Sequence, residues 1–306
     1  MRTHGSGAVQ AVYSAAMTFN ENARLDSSRV KRGRGGAGVA VGGGTLLILF
    51  LVSQLLGVDL TGLAPATDPG AGSGEESTIE GCERGADANE NVDCRMVGAY
   101  NSLDDYWADA FPRMGGQYAS PGMSLESGTW QTGCGRASSA MGPFYCPPDQ
   151  SIYVDTAFFG VLTSQLGADG GPLAEMYVVA HEWGHHIQNL SGTMDRLDRT
   201  QTGPTSDGVR LELQADCLAG AWAQNAASTV DADGVPFLQP FTEQQLATAM
   251  DAAAAVGDDH IQSSGGGSVN PEQWTHGSSQ SRQRWFLQGY ENGPGACDTF
   301  AAGADL

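Results

Sequence analysis

His181 and His185 stand four residues apart in His181-Glu182-Trp183-Gly184-His185, an H-E-x-x-H. On a helix that spacing places both imidazoles on one face, about one turn apart, where they can reach a single Zn²⁺. Glu182 can then reach a metal-bound water. Zinc would lower that water's pKa toward neutrality, and Glu182 would take its proton as the water attacks a polarised carbonyl. A catalytic zinc needs a third protein ligand and an open position. Glu212-Leu213-Gln214-Ala215-Asp216 supplies an E-x-x-x-D whose two carboxylates share a helix face. Glu212 can ligate the metal, while Asp216 accepts a hydrogen bond from the non-ligating nitrogen of one histidine. An exposed acidic face is the competing reading. It fits poorly with the apolar neighbours Leu213, Ala215, Cys217, Leu218 and Trp222, because carboxylates buried among such residues need a cation or donors.

The other histidines differ in placement. His186 points about 100° around the helix from His185 and cannot share its metal, so it reads as packed or hydrogen-bonded. His4 falls in a stretch, residues 1 to 16, that reads as an upstream extension before Met17, and His260 reads as a loop residue. His276, in Trp274-Thr275-His276-Gly277-Ser278-Ser279, precedes a helix and is a candidate donor to the oxyanion of peptide hydrolysis.

These residues need helices to carry them. Gly171-Pro172 opens one that runs through Asn189 until Gly192. A second covers about Gly208 to Asn225. Thr242 and Gln245 resemble a capping box that starts a third, Glu243 to Val256, with Gly257 as its stop. Earlier, Leu103, Tyr106, Trp107 and Ala110 recur at helical spacing over Ser102 to Phe111, and a last amphipathic helix covers about Ser279 to Tyr290. Phe144-Tyr145 and Ser151 to Val154 have strand character across a Pro147-Pro148-Asp149 turn, and Asp258 to Asn270 reads as a loop. The pattern is that of an α+β fold, mainly helical, with a small antiparallel sheet.

The chain has 306 residues and a formal charge of −20. From Asp59 onward 33 acidic residues face nine arginines and no lysine. Such a body repels phosphate, so a nucleic-acid partner is excluded. Six basic residues precede position 35, and Val39 to Val58 carries no charge over twenty residues, roughly one hydrocarbon thickness. The charge asymmetry predicts a single transmembrane helix at 39–58, a cytoplasmic basic leader at 1–38, an acidic linker at 59–91 and an extracytoplasmic domain at 92–306. The competing reading is a signal peptide cleaved at Ala64-Pro65-Ala66. All six cysteines lie beyond the apolar stretch without a C-x-x-C. Proximity suggests Cys82 with Cys94 and Cys134 with Cys146, leaving Cys217 for Cys297, as structural staples.

Several segments together resemble the bacterial putative neutral zinc metallopeptidase family. They are Cys134-Gly135, Gly142-Pro143-Phe144-Tyr145-Cys146-Pro147, Ile152-Tyr153-Val154-Asp155 with Phe158, His181 through Gln188, Glu212 to Cys217, Gly257-Asp258-Asp259, and Thr275 through Phe286. The resemblance implies a zincin-like domain of gluzincin type, with His181, His185 and Glu212 as zinc ligands, Glu182 as base and His276 facing substrate or oxyanion. Arg29-Val30-Lys31-Arg32 stands where the family carries a more acidic stretch, and Met1 to Ala16 match nothing in it. In related zincins a strand before the H-E-x-x-H helix presents its edge to an extended substrate. Ser151 to Asp155 is the candidate for that edge, with an ordinary core strand as the alternative. The reading is a membrane-anchored zinc endopeptidase acting on a peptide or protein substrate. Against it stand a zinc-stabilised envelope binding or scaffold protein without turnover, and a zinc hydrolase of non-peptide amides.

Overall fold

A computed structural model describes residues 17–33, 77–198, 200–264 and 268–306. In chain order its elements are β1 (Val30–Arg32), β2 (Ser77–Thr78), α1 (Gly85–Glu90), α2 (Val92–Arg113), β3 (Gly122–Leu125), β4 (Thr129–Thr132), β5 (Gly135–Ser138), β6 (Phe144–Cys146) and β7 (Ser151–Val154). There follow α3 (Phe158–Ser164), α4 (Pro172–Leu190), α5 (Asp207–Asn225), α6 (Glu243–Ala255), α7 (Asp258–Ser264) and α8 (Ser279–Asn292).

The helix boundaries have local causes. Asn91 caps α2 by accepting from the Asp93 and Cys94 amides, which starts that helix ten residues before its apolar period becomes legible. Pro172 occupies the first turn of α4, where a missing N–H costs nothing. Ser206 accepts from the Val209 amide to cap α5, and Thr242 with Gln245 forms a full capping box on α6. α4 runs through the middle, packed on α2, α5, α6 and the β6–β7 end of the sheet, while α8 lies along α5.

Glycines set the closest helix contacts. A Cβ on Gly184 would stand 2.8 Å from the Cα of Ala215, so α4 and α5 approach to backbone contact where the histidines must meet Glu212. Gly220 of α5 faces the Phe286 carbonyl of α8, and Gly289 of α8 faces the Cys217 carbonyl of α5; a Cβ at either position would collide with that oxygen. Disulfides join Cys82 to Cys94, Cys134 to Cys146 and Cys217 to Cys297. The last ties α5 to the turn after α8.

The sheet corrects the expected antiparallel arrangement. Its order is β2-β1-β3-β7-β6, with β1–β3 and β3–β7 parallel and only the outer pairs antiparallel. A parallel pair needs a long crossover, and between β3 and β7 this is supplied by a separate β4–β5 hairpin and by β6. β7 is therefore flanked on both sides, and Ser151 to Val154 cannot accept a further strand. The free edge on that side belongs to β6. Asp258 to Ser264, expected as loop, is the helix α7.

The N-terminal organisation is also corrected. The stretch 39–58 lies outside the described residues, and among the described residues no helix is long and apolar enough to cross a membrane. The strands on either side of that stretch are hydrogen-bonded neighbours: Lys31 pairs with Thr78, and Arg32 with Ser77. A single pass between them would place β1 and β2 in different compartments. The expected topology of a cytoplasmic N-terminus and an exported domain is thereby overturned. Phe19, Ala23 and Val30 are fully buried in the common core, and the basic side chains of this segment meet acids of the body: Arg24 pairs with Asp233, Arg29 with Asp104 and Arg32 with Asp93. Residues 77 to 91 likewise belong to the folded body through β2, Cys82 and α1.

Phe19 tests that assignment. Its ring fills the space that the missing side chain of Gly98 leaves on α2. Phe19→Ala should lower the unfolding free energy by about 3–5 kcal/mol, as for other large buried aromatics, measured by denaturant titration. A change below about 1 kcal/mol would detach residues 17–33 from the core.

Candidate metal centre and active site

Because the α4 and α5 backbones touch at Gly184, one turn of each helix can face the other directly. His181 Nε2 lies 3.1 Å from one Glu212 oxygen, and His185 Nε2 lies 3.5 Å from the other. The ligand atoms of His181, His185 and Glu212 all fall within 4.8 Å of one another. Donors on a tetrahedral zinc, bonded at about 2.0–2.1 Å, sit about 3.4 Å apart. Two imidazole nitrogens and one carboxylate are also the donor chemistry such an ion takes, so the residues fit it.

Both rings are oriented from behind. His181 Nδ1 lies 2.8 Å from Asp216 Oδ1, and the ionised carboxylate makes that nitrogen the donor. His185 Nδ1 lies 2.8 Å from Gln188 Oε1. Gln188 is held in turn by donating to the Leu211 carbonyl. With each Nδ1 held as the donor to the group behind it, Nε2 is the nitrogen that faces the centre on each ring. Asp216 is completely buried and accepts from Tyr177 Oη, from Arg282 Nε at 2.8 Å and from Arg282 Nη2 at 3.0 Å. Burial pushes its carboxyl up, but Arg282 and His181 outweigh this and hold it below the usual range.

Glu182 and His276 face the same cavity, of about 350 Å³. Burial raises the Glu182 carboxyl; the neighbouring His185 and His181, with the Tyr145 backbone, pull partly the other way. His276 sits in a loop organised by Asp258, one of whose oxygens accepts the backbone N–H groups of Thr275, His276 and Gly277 at 2.7, 2.7 and 2.9 Å. Its other oxygen is 3.3 Å from His276 Nδ1. Burial would lower the His276 pKa, but the Asp258 hydrogen bond and the charge of Glu212 raise it, so the ring favours its donor form.

The structure thus brings His181, Glu182, His185, Glu212, Asp216 and His276 together. His186 faces away, and His260 of α7 bonds the Leu166 carbonyl. Tyr177, Gln188, Asp258 and Arg282 escaped the sequence reading. Local signals existed for two of them: Tyr177 precedes His181 by four residues and Gln188 follows His185 by three, so both share the histidine face.

Without a metal, the centre holds a proton. Burial would lower the His181 pKa, yet Asp216 and Glu212 hold it at about 10, while Glu212 is kept well below the carboxylate range by His185 and His181 despite its own burial. At pH 7 metal-free His181 is therefore a cation, and an ion bound at Nε2 must displace that proton. Zinc titrated into the metal-free protein at pH 7 should release at least about one proton, read as a binding heat that changes with the ionisation enthalpy of the buffer. Apparent affinity should rise with pH below about 10. Heats independent of the buffer would show that His181 is already neutral.

Residues 17–300 match the family described as putative neutral zinc metallopeptidase. The uncharacterized protein Rv2575 of Mycobacterium tuberculosis strain H37Rv is 52% identical over 227 residues, which are 74% of this chain and 76% of that one. The uncharacterized protein YpfJ of Escherichia coli K12 is 38% identical over 266 residues, 85% of this chain and 86% of its own. No solved structure matches the chain. A match that begins at β1's own segment and runs past α8 to residue 300 covers every part of the site, and the chain belongs to the putative neutral zinc metallopeptidase family.

Proposed function

We propose that the chain is a zinc-dependent endopeptidase that hydrolyses peptide bonds of extended substrates. The observation that carries the reading is the convergence on one cavity of a metal-binding trio, a buried carboxylate on the adjoining residue and a histidine donor opposite. Zinc held by His181, His185 and Glu212 supplies Lewis acidity, stabilising negative charge as it develops on oxygen.

The chain's own residues do the rest. Glu182 takes a proton from the attacking water; its raised pKa makes it a better base and lets it pass the proton on to the leaving amine. His276, anchored through Nδ1, has Nε2 left to donate to the oxyanion of the tetrahedral intermediate. The substrate adds along β6 rather than β7. The Gln150 and Val154 carbonyls point to β3, so Ile152 between them turns its backbone groups the same way, and its partner Tyr145 turns its N–H and carbonyl away from β7, where the carbonyl can accept from a substrate amide. Apolar walls from Phe144, Phe158, Leu166, Val178 and Ile261 accept substrate side chains.

A scaffold without turnover calls for a site closed by the segment after Gly257. Among the described residues of that segment, α7 contributes Ile261 to the wall of a cavity that the trio also lines. That favours turnover.

Glu182→Gln should reduce kcat at least about a hundredfold while one zinc per chain remains, measured by metal analysis and cleavage of an unfolded protein. Undiminished cleavage would remove Glu182 as base. His276→Ala should lower kcat about 10²–10³-fold with KM little changed. A rise in KM alone would make His276 a binding residue.

A further inference from the structure

Beside the metal-facing histidines, α4 carries a second set of polar contacts that the hydrolytic chemistry does not use. The His186 ring is fully buried. Its Nε2 lies 2.7 Å from the Ala119 carbonyl oxygen, which can only accept, so Nε2 carries the proton. Nδ1 then accepts from the Tyr145 hydroxyl at 3.0 Å, and that hydroxyl accepts from Asn189 Nδ2 at 2.8 Å. One tautomer satisfies every polar atom of the ring and the phenol. Two side chains of α4 thus clasp one side chain of β6.

β6 is three residues long and, among the described residues, lies at the sheet edge and is paired only with β7. Its outer face is held by Phe144, stacked between Trp130 and Tyr153, and by the Cys134–Cys146 disulfide. Toward α4, the tie is Tyr145. The same residue's backbone N–H and carbonyl face away from β7, toward the outer side of the edge. The Tyr145 side chain therefore joins the edge strand to α4 one turn beyond Glu182.

We propose that the His186–Tyr145 hydrogen bond is a latch that fixes the height of the β6 edge over α4, so that a peptide lying on that edge presents its scissile bond to Glu182. The two side chains are positioning residues; neither touches the reacting atoms. The proposal rests on the endopeptidase reading and adds to it a reason for a second histidine after His185. A purely space-filling role would be met equally by an apolar side chain of similar volume.

Three variants separate the two. Tyr145→Phe removes only the hydroxyl. His186→Gln can keep a donor for Ala119 but offers nothing at the Nδ1 position, whereas His186→Asn places its amide oxygen there as an acceptor. On an extended peptide, Tyr145→Phe and His186→Gln should each lower kcat about 10–100-fold, the cost of a misplaced reacting bond, with KM within about threefold and zinc content unchanged. His186→Asn should restore kcat to within about threefold of wild type. In the metal-free proteins, amide exchange over residues 144–146 should quicken in Tyr145→Phe and His186→Gln while α4 stays protected.

Unchanged kcat and exchange in Tyr145→Phe would overturn the latch, as would His186→Asn falling as far as His186→Gln. If the His186 variants fail to fold, Tyr145→Phe decides alone. Wild-type protein that cleaves no peptide would remove the endopeptidase reading, and the exchange measurement would still decide whether the latch exists.

Discussion

The buried carboxylate of Asp216 is the interaction on which the rest of the site depends. Taking an ionised carboxylate out of water costs several kcal/mol, and here the cost is offset by donors from two neighbouring helices: Tyr177 and His181 of α4, and the forked guanidinium of Arg282 on α8. A bidentate arginine is the strongest of these. Asp216 lies on α5, so one carboxylate fixes the mutual positions of all three helices. Gly184, Gly220 and Gly289 make this possible by letting the backbones approach closely. Removing any one partner would leave charge or donors stranded in the interior, which is why these residues act as a unit.

The same arrangement explains why a cation belongs between His181, His185 and Glu212. Arg282 cancels the charge of Asp216, and the carboxylate of Glu212 is left facing two imidazoles in a poorly solvated place. Something positive must answer it. In the absence of a metal the answer is a proton on His181. A divalent ion answers it better, and it meets two nitrogens whose lone pairs are already aimed by Asp216 and Gln188. The overall acidity of the chain plays no part in this. The groups that matter are those whose charge has no water to screen it.

Much of the helical frame was legible in the sequence because its signals are local. The histidine and E-x-x-x-D spacings, the proline opening α4 and the capping box of α6 all act within four residues. What stayed hidden depends on distant partners. Arg282 meets Asp216 across 66 positions, and Asp258 reaches the 275–277 loop across 17 to 19. The parallel strands β1 and β3 are three or four residues long and lie in Gly-, Ser- and Arg-rich surroundings, so neither shows a period of its own. Likewise Phe19, Ala23 and Val30 bury one side of the N-terminal segment without repeating at any regular spacing. Its arginines read as an orienting charge cluster because their partners, Asp93, Asp104 and Asp233, lie 61 or more residues away.

Two buried aspartates do the same job on two histidines, and what differs between them is what separates the proposed ligand from the proposed donor. Asp216 holds His181 by Nδ1, and Asp258 holds His276 by Nδ1. Each carboxylate favours a protonated ring, and each leaves Nε2 free. The difference lies in what stands before that nitrogen. At His181 it is Glu212 and the second imidazole, a set that could hold a metal in place of the proton. At His276 it is the cavity, and despite burial Asp258 with Glu212 favours the protonated ring. The loop that carries His276 is fixed beforehand by three backbone N–H groups on one Asp258 oxygen. A donor so held needs little reorganisation when charge develops opposite it, which is the condition under which electrostatic stabilisation of a transition state is largest.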